Sequence, residues 1–390
     1  MTKNIPLLYG FSFFDQFMIV MAVWVPFFAT NGIGMQQFME LQAIFAIVIL
    51  CGEVPSGLLS DLWGRKKTLL LGSTLKAVSF TLLPLWDSYE GFLFYHLTMG
   101  IALSMISGGD VAFLYDSYRA ADDKKATGTA VLGNAKFAAQ LGTTLSAILG
   151  GLVVTLSYGH LLWANAVLSW IPALLVLGLA EPPARPSPAK KSRSEQFREM
   201  LSSIMARDTA TRLAFFNLVV WGSIGLTMFW LNQKYWQETE VPLAWFGVLL
   251  AAFSLVDGFA ARSAARATKR YGWRPLLAAV GVMQVVACLG MAYFFGWAGI
   301  LFGFLYKIGR GLGEVLFLEA LNERVSSAFR ATVISMTQLG VRGTFMLVGP
   351  LVGYGTDAWG LPSVLSAIGI LFSITFMFLI LPLARKQIRH

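Results

Sequence analysis

Long apolar runs recur along the whole of this 390-residue chain, about twelve of them near 20 residues each, and a run of that length spans a hydrocarbon layer of roughly 30 Å as a helix. Helix is the form such runs must take, because lipid offers no hydrogen bonds and each segment has to pair its own backbone N–H and C=O groups. With 56% hydrophobic and 13% charged residues and a mean hydropathy of +0.64, too little polar surface remains to wrap a soluble core of this size. The sequence therefore predicts an all-α integral membrane protein. The first run carries Asp15 and Gln16 and lacks a small-residue cleavage site, so it reads as a retained helix and not a signal peptide.

The predicted spans run from about Ile5 to Thr30, Gln37 to Ser60, Leu69 to Trp86, Gly91 to Tyr118, Thr127 to Thr155, His160 to Ala180, Leu213 to Trp236, Val241 to Arg262, Pro275 to Phe295, Ala298 to Asn322, Ala331 to Gly355 and Leu361 to Leu383. A net charge of +9 invites a nucleic-acid reading, but the cations alternate with the loops. Arg65, Lys66, Lys67, Arg119, Lys124, Lys125, the Arg185 to Arg212 cluster, Arg262 to Arg274, Arg324, Arg330 and Arg385-Lys386 all fall on one side. This positive-inside pattern places both termini in the cytoplasm and speaks against nucleic acid. Cys51 and Cys288 lie within apolar runs and read as small core residues. No nucleotide-binding loop, metal-ligand set or cofactor motif stands out, so no cofactor is expected.

Composition changes abruptly at Glu181-Pro-Pro-Ala-Arg-Pro-Ser-Pro, a proline-rich and basic stretch that reads as a cytoplasmic linker. Within 181–208, Ser192 and Glu195 have capping-box spacing, and Phe197, Met200, Leu201, Ile204 and Met205 recur as on an amphipathic helix. The linker divides the chain into six-span bundles, 1–180 and 209–390. These halves repeat each other. Gly109-Asp-Val-Ala-Phe-Leu114 aligns with Gly313-Glu-Val-Leu-Phe-Leu318, placing Asp110 and Glu314 at equivalent points, and Tyr271-Gly-Trp-Arg274 echoes Trp63-Gly-Arg-Lys66.

Gly57-Leu-Leu-Ser-Asp61-Leu-Trp-Gly64-Arg65-Lys66-Lys67, between the second and third runs, reads as a short turn in which a helix ends at a carboxylate and cations follow. Both glycines, Asp61, Arg65 and Lys66 resemble the signature loop between helices two and three of the major facilitator superfamily. That resemblance implies two pseudo-symmetric six-helix bundles, substrate bound between them near the midplane, and a latch on the inner side. The latch role is carried to Asp61, Arg65 and Asp116, and to Arg330 at the start of span eleven. In span five, Gly133, Gly142, Gly150 and Gly151 have the spacing seen in drug/proton antiporters of the superfamily, but Ser146-Ala147 replaces the Gly-Pro step and His96 stands where span four of those exporters carries arginine. Close helix packing accounts for the glycines equally well.

Ionisable groups at membrane depth are costly unless paired or hydrated, so each is a functional candidate. Asp15, Glu53, Asp110 and Glu314 are the candidates for carrying a proton. In span ten, Lys307, Arg310 and Glu314 share one face, as a stripe toward a cavity or as a structural ion pair. With Lys136 and Arg342 they supply cations that favour an anionic or zwitterionic ligand. Trp221, Phe229, Trp230 and Tyr306 are the candidate aromatic contacts, although aromatics in membrane helices commonly serve packing.

The reading is a monomeric, proton-coupled secondary transporter of the bacterial-type inner membrane, with a small-molecule substrate, protons and the lipid bilayer as partners, exporting a small amphipathic, anionic or zwitterionic compound. Import of a siderophore or metabolite uses the same alternating cavity, sodium is the other coupling ion, and an intramembrane enzyme or a transporter-like receptor are readings of another class. Asp61→Asn is expected to cripple transport while substrate binding, measured on the purified protein, persists; normal transport contradicts the latch.

Overall fold

The computed structural model describes residues 3–107, 109–121, 127–182, 208–325 and 327–386, the side chains of Val54, Asp61 and 327–332 excepted. The amphipathic segment expected after the linker lies outside the described residues. Among those described, the apolar runs are helices grouped into twelve spans, with no strand. Nine of these helices are long and apolar enough to cross a membrane. The remaining spans, Gly128–Val153, Trp297–Asn322 and Ser327–Trp359, are equally long but richer in small, polar or charged residues. The chain is an all-α, multi-pass membrane protein.

Glycine sets the sharpest turns. Gly64, at φ 92°, is the single residue between Met35–Trp63 and Arg65–Leu82, and Gly272, at φ 83°, is the single residue between Leu243–Tyr271 and Trp273–Tyr293. Only glycine takes this backbone conformation without steric cost, so the echo between the two sequence halves is a shared conformation. The second span was expected to end near Ser60. It continues to Trp63, which puts Gly57 inside the helix and leaves the reversal to Gly64 alone.

Three spans expected to be continuous are interrupted, the sixth only at Trp170, between Tyr158–Ser169 and Ile171–Leu177. The first consists of Asn4–Asp15, a 3-10 turn at Ile19–Val23 and Trp24–Thr30. The fourth consists of Tyr89–Ile106 and Gly109–Ala121. No glycine or proline marks residues 16–18; the neighbours hold the break. Lys76 of the third span donates to the Asp15 carbonyl, and Val20 N–H donates to Asn165 Oδ1 of the sixth at 3.4 Å. In the fifth span, Gly142 and Gly150 lie directly against the carbonyl oxygens of Phe13 and Ile19, on either side of the break. A Cβ at either glycine has no room.

The described residues fall into two compact units, one drawn from Met1–Ile33, Leu41–Ala189 and Val241–Ala251, the other from Gly34–Glu40, Lys190–Glu240 and Ala252–His390. Leu8, Phe11, Leu69, Phe113, Leu114 and Val131 belong to a buried cluster of the first. In the second, Trp221 packs on Phe317 and Phe372, and the Asp357 carboxylate accepts the backbone N–H groups of Met35 and Gln36 at 3.0 and 2.8 Å, capping the start of the second span.

Gly142→Ala is expected to destabilise the protein by about 1–3 kcal/mol through forced backbone displacement. Gly133→Ala, which meets open space, should be neutral or slightly stabilising; thermal unfolding of the two in detergent compares them directly.

Candidate substrate and coupling site

The breaks in the first and fourth spans border one cavity of about 430 Å³, within the range of small-molecule sites. Its wall combines Leu8, Phe11, Ser12, Asp15 and Gln16 of the first span with Asp110, Val111 and Leu114 of the fourth and Leu132, Ala135, Lys136 and Ala139 of the fifth. Three residues singled out by depth alone, Asp15, Asp110 and Lys136, thus meet at one place. Their states differ. Asp15 is buried and ion-paired, its Oδ1 lying 2.8 Å from Lys76 Nζ and its Oδ2 accepting Gln16 Nε2 at 3.0 Å. Asp110 lies half-buried in the first turn of Gly109–Ala121, where a negative charge is favoured by the helix dipole, and accepts Val111 N–H at 2.7 Å. Lys136 is exposed to the cavity and has no ion-pair partner among the described residues.

The second unit carries its charges as a matched set. Arg310 forms ion pairs with Asp257 of the eighth span and, at 3.3 Å, with Glu314 one turn on. Asp257, Glu314, Gly258, Ala261 and Gly311 line a smaller cavity of about 180 Å³. Gly311 is required there, since its α-carbon faces the Asp257 carbonyl at a distance that excludes a side chain. Lys307 is buried, its ammonium 5.9 Å from the centre of the Phe253 ring. The stripe of Lys307, Arg310 and Glu314 is therefore completed by Asp257, the counter-charge that spacing within one helix does not reveal.

At the Gly64 turn, Arg65 pairs with Asp116 at 2.5 Å. Lys66 Nζ donates to the Leu177 carbonyl at 2.9 Å. Gly64 has no side chain with which to cap the third span, and Glu181 takes that role: its two carboxylate oxygens accept Arg65 N–H and Lys66 N–H, each at 2.8 Å. Glu181, the first residue of the linker in the sequence, is thus tied to the third span. The side chains of Asp61 and Arg330 lie outside the described set. Glu53 and Arg342 are half-buried on the second and eleventh spans.

The aromatic candidates divide. Trp221 donates its Nε1 hydrogen to the Arg310 carbonyl at 3.0 Å and is sealed between Phe317 and Phe372. Tyr306 is almost fully buried, with its carbonyl held by Gln284 Nε2 at 3.0 Å. Both candidates are buried against neighbouring side chains, and Trp221 lies over Gly313 of span ten. Trp230 is buried against Phe38 and Phe229, and Phe229 itself is half-buried.

A multi-pass helical protein with discontinuous spans and charged cavities at membrane depth has the construction of a secondary transporter, not of an enzyme. The Major Facilitator Superfamily model matches residues 7–342, and the chain belongs to that family. No curated protein sequence matches it. Among solved structures, the nucleoside transporter NupG is similar with a TM-score of 0.79 at 15% identity, over 98% of this chain and 100% of that one. A POT family transporter in complex with a thioalcohol conjugated peptide gives 0.76 at 12% identity over 98% and 97%, and the D-xylose-proton symporter 0.69 at 13% over 98% of each. At these identities the likeness is one of fold.

Removing one partner of the Arg310–Asp257 pair unbalances the set at membrane depth: Arg310 keeps only Glu314, and Asp257 keeps no ion pair among the described residues. Arg310→Gln and Asp257→Asn are each expected to cost about 2–4 kcal/mol, and the double variant to be more stable than either single one when unfolding is followed in detergent.

Proposed function

We propose that the chain is a proton-coupled secondary transporter that exports a small amphipathic compound, anionic or zwitterionic, by alternating access. The observation that carries this reading is the first-unit cavity, where Lys136, free of any ion pair among the described residues, shares a wall with Asp110 at the head of a half-helix. An ammonium in a low-dielectric cleft favours an anionic group on the ligand, and the nearby carboxylate offers a place for a proton or for a ligand ammonium. The apolar side chains around them suit the remaining body of an amphipathic molecule. In the second unit Asp257 and Glu314 offset Arg310, so the anion preference rests on Lys136 and not on Arg310.

Asp110 is the proton carrier in this proposal, with Glu314 its counterpart in the other sequence half. Export rests on the partial resemblance of Gly133, Gly142, Gly150 and Gly151 to the spaced glycines of drug/proton antiporters, from which Ser146-Ala147 and His96 depart. The basic loops support a reading with both termini in the cytoplasm of an inner-membrane protein and with halves 1–180 and 209–390 joined by the 181–208 linker. Arg65 and Asp116, paired at 2.5 Å, are the described part of the inner latch.

Proteoliposomes loaded with a pH dye and screened with anionic, zwitterionic and cationic small molecules test the reading. An anionic or zwitterionic compound is expected to move protons, Asp110→Asn to abolish that movement, and Lys136→Met to weaken such ligands about tenfold relative to neutral ones. Response to lipophilic cations alone contradicts the charge class, and wild-type proton flux in Asp110→Asn contradicts the carrier. The sign of the flux under an imposed gradient separates export from import.

A further inference from the structure

The Asn4–Asp15 helix ends inside the membrane span, and its last carbonyls carry the negative end of the helix dipole. Lys76 reaches that point from the third span. It is 2% exposed, and its Nζ lies 2.5 Å from the Asp15 carbonyl oxygen and 2.8 Å from Asp15 Oδ1. One main-chain oxygen and one carboxylate oxygen thus converge on a single positive atom. Oxygen ligands at the broken end of a half-helix are the donor set that holds a hard monovalent cation in a membrane transporter. The surrounding frame is fixed independently of Lys76: Asn165 accepts Val20 N–H, Gln16 Nε2 donates to Asp15 Oδ2, and Gly142 and Gly150 admit the flanking carbonyls.

We propose that Lys76 is a tethered cation occupying a monovalent-cation position at the break in the first span. The wild-type protein then has no need of sodium there, and Asp15 serves as the fixed counter-charge of Lys76 in place of exchanging a proton. Removing the ammonium leaves the oxygens converging on a space that a small free cation fills. The inference rests on the geometry of the first unit and not on the coupling scheme, and its test requires no substrate.

Thermal unfolding of the full-length protein in detergent is followed in sodium chloride, ethylammonium chloride and choline chloride at matched ionic strength. Wild type is expected to give the same Tm in all three. Lys76→Ala is expected to lie about 5 °C or more lower in choline and to recover most of that loss in sodium or ethylammonium. Selective stabilisation of wild type by sodium overturns the proposal, as does a variant equally depressed in every salt. If Lys76→Ala does not survive purification, Asp15→Asn/Lys76→Met, which removes both charges, decides. The proposal requires this double variant to fold and to ignore the choice of cation; failure to fold, or a sodium response, overturns it.

Discussion

Backbone groups freed at a helix break have no water to pair with in hydrocarbon, so an interrupted span persists only where neighbouring helices supply the partners. In this transporter that requirement shapes the first unit. The third span contributes Lys76 to the Asp15 carbonyl, the sixth contributes Asn165 to Val20 N–H, and the fifth contributes two glycines whose missing side chains let the Phe13 and Ile19 carbonyls approach. Small residues in the fifth span are therefore a condition of the break and not simply of close helix packing. The same break, with the second one at Ile106–Gly109, frames the cavity that holds Asp110 and Lys136.

Charge is distributed differently in the two units. Around Arg310 the second unit balances cation against carboxylate, with Asp257 and Glu314 both in reach, and a balanced set costs least at membrane depth. The first unit balances Asp15 against Lys76 in the same way, yet leaves Lys136 exposed to the cavity without an ion pair among the described residues. An unmatched cation at membrane depth is the observation on which the proposed role of Lys136 in ligand recognition rests.

Much of the fold was legible because lipid imposes a coarse rule: apolar runs of sufficient length become spans, and Gly64 and Gly272 announced their turns by standing between a helix end and a basic restart. The resemblance of the Gly64 loop to the superfamily signature put Arg65 and Asp116 in one cluster, and the structure shows that these two side chains meet. The breaks were not, since residues 16–18 contain neither glycine nor proline and the interruption is held by side chains from distant parts of the chain. Lys76 escaped notice for a related reason. It sits within a run long enough to be a span, and its partner is 61 positions away. Asp257 lies on a different span from Arg310, and only the fold brings the two together. Spacing identifies neighbours on one helix; it is silent on which helices meet.

The central claim, that Asp110 exchanges a proton at the first-unit cavity, is tested most directly by the charge displaced when a pH step is applied to the protein on a solid-supported membrane with no substrate present. The account predicts a transient current in wild type that is lost in Asp110→Asn and retained in Asp15→Asn. A transient unchanged in Asp110→Asn, or lost in Asp15→Asn alone, contradicts it.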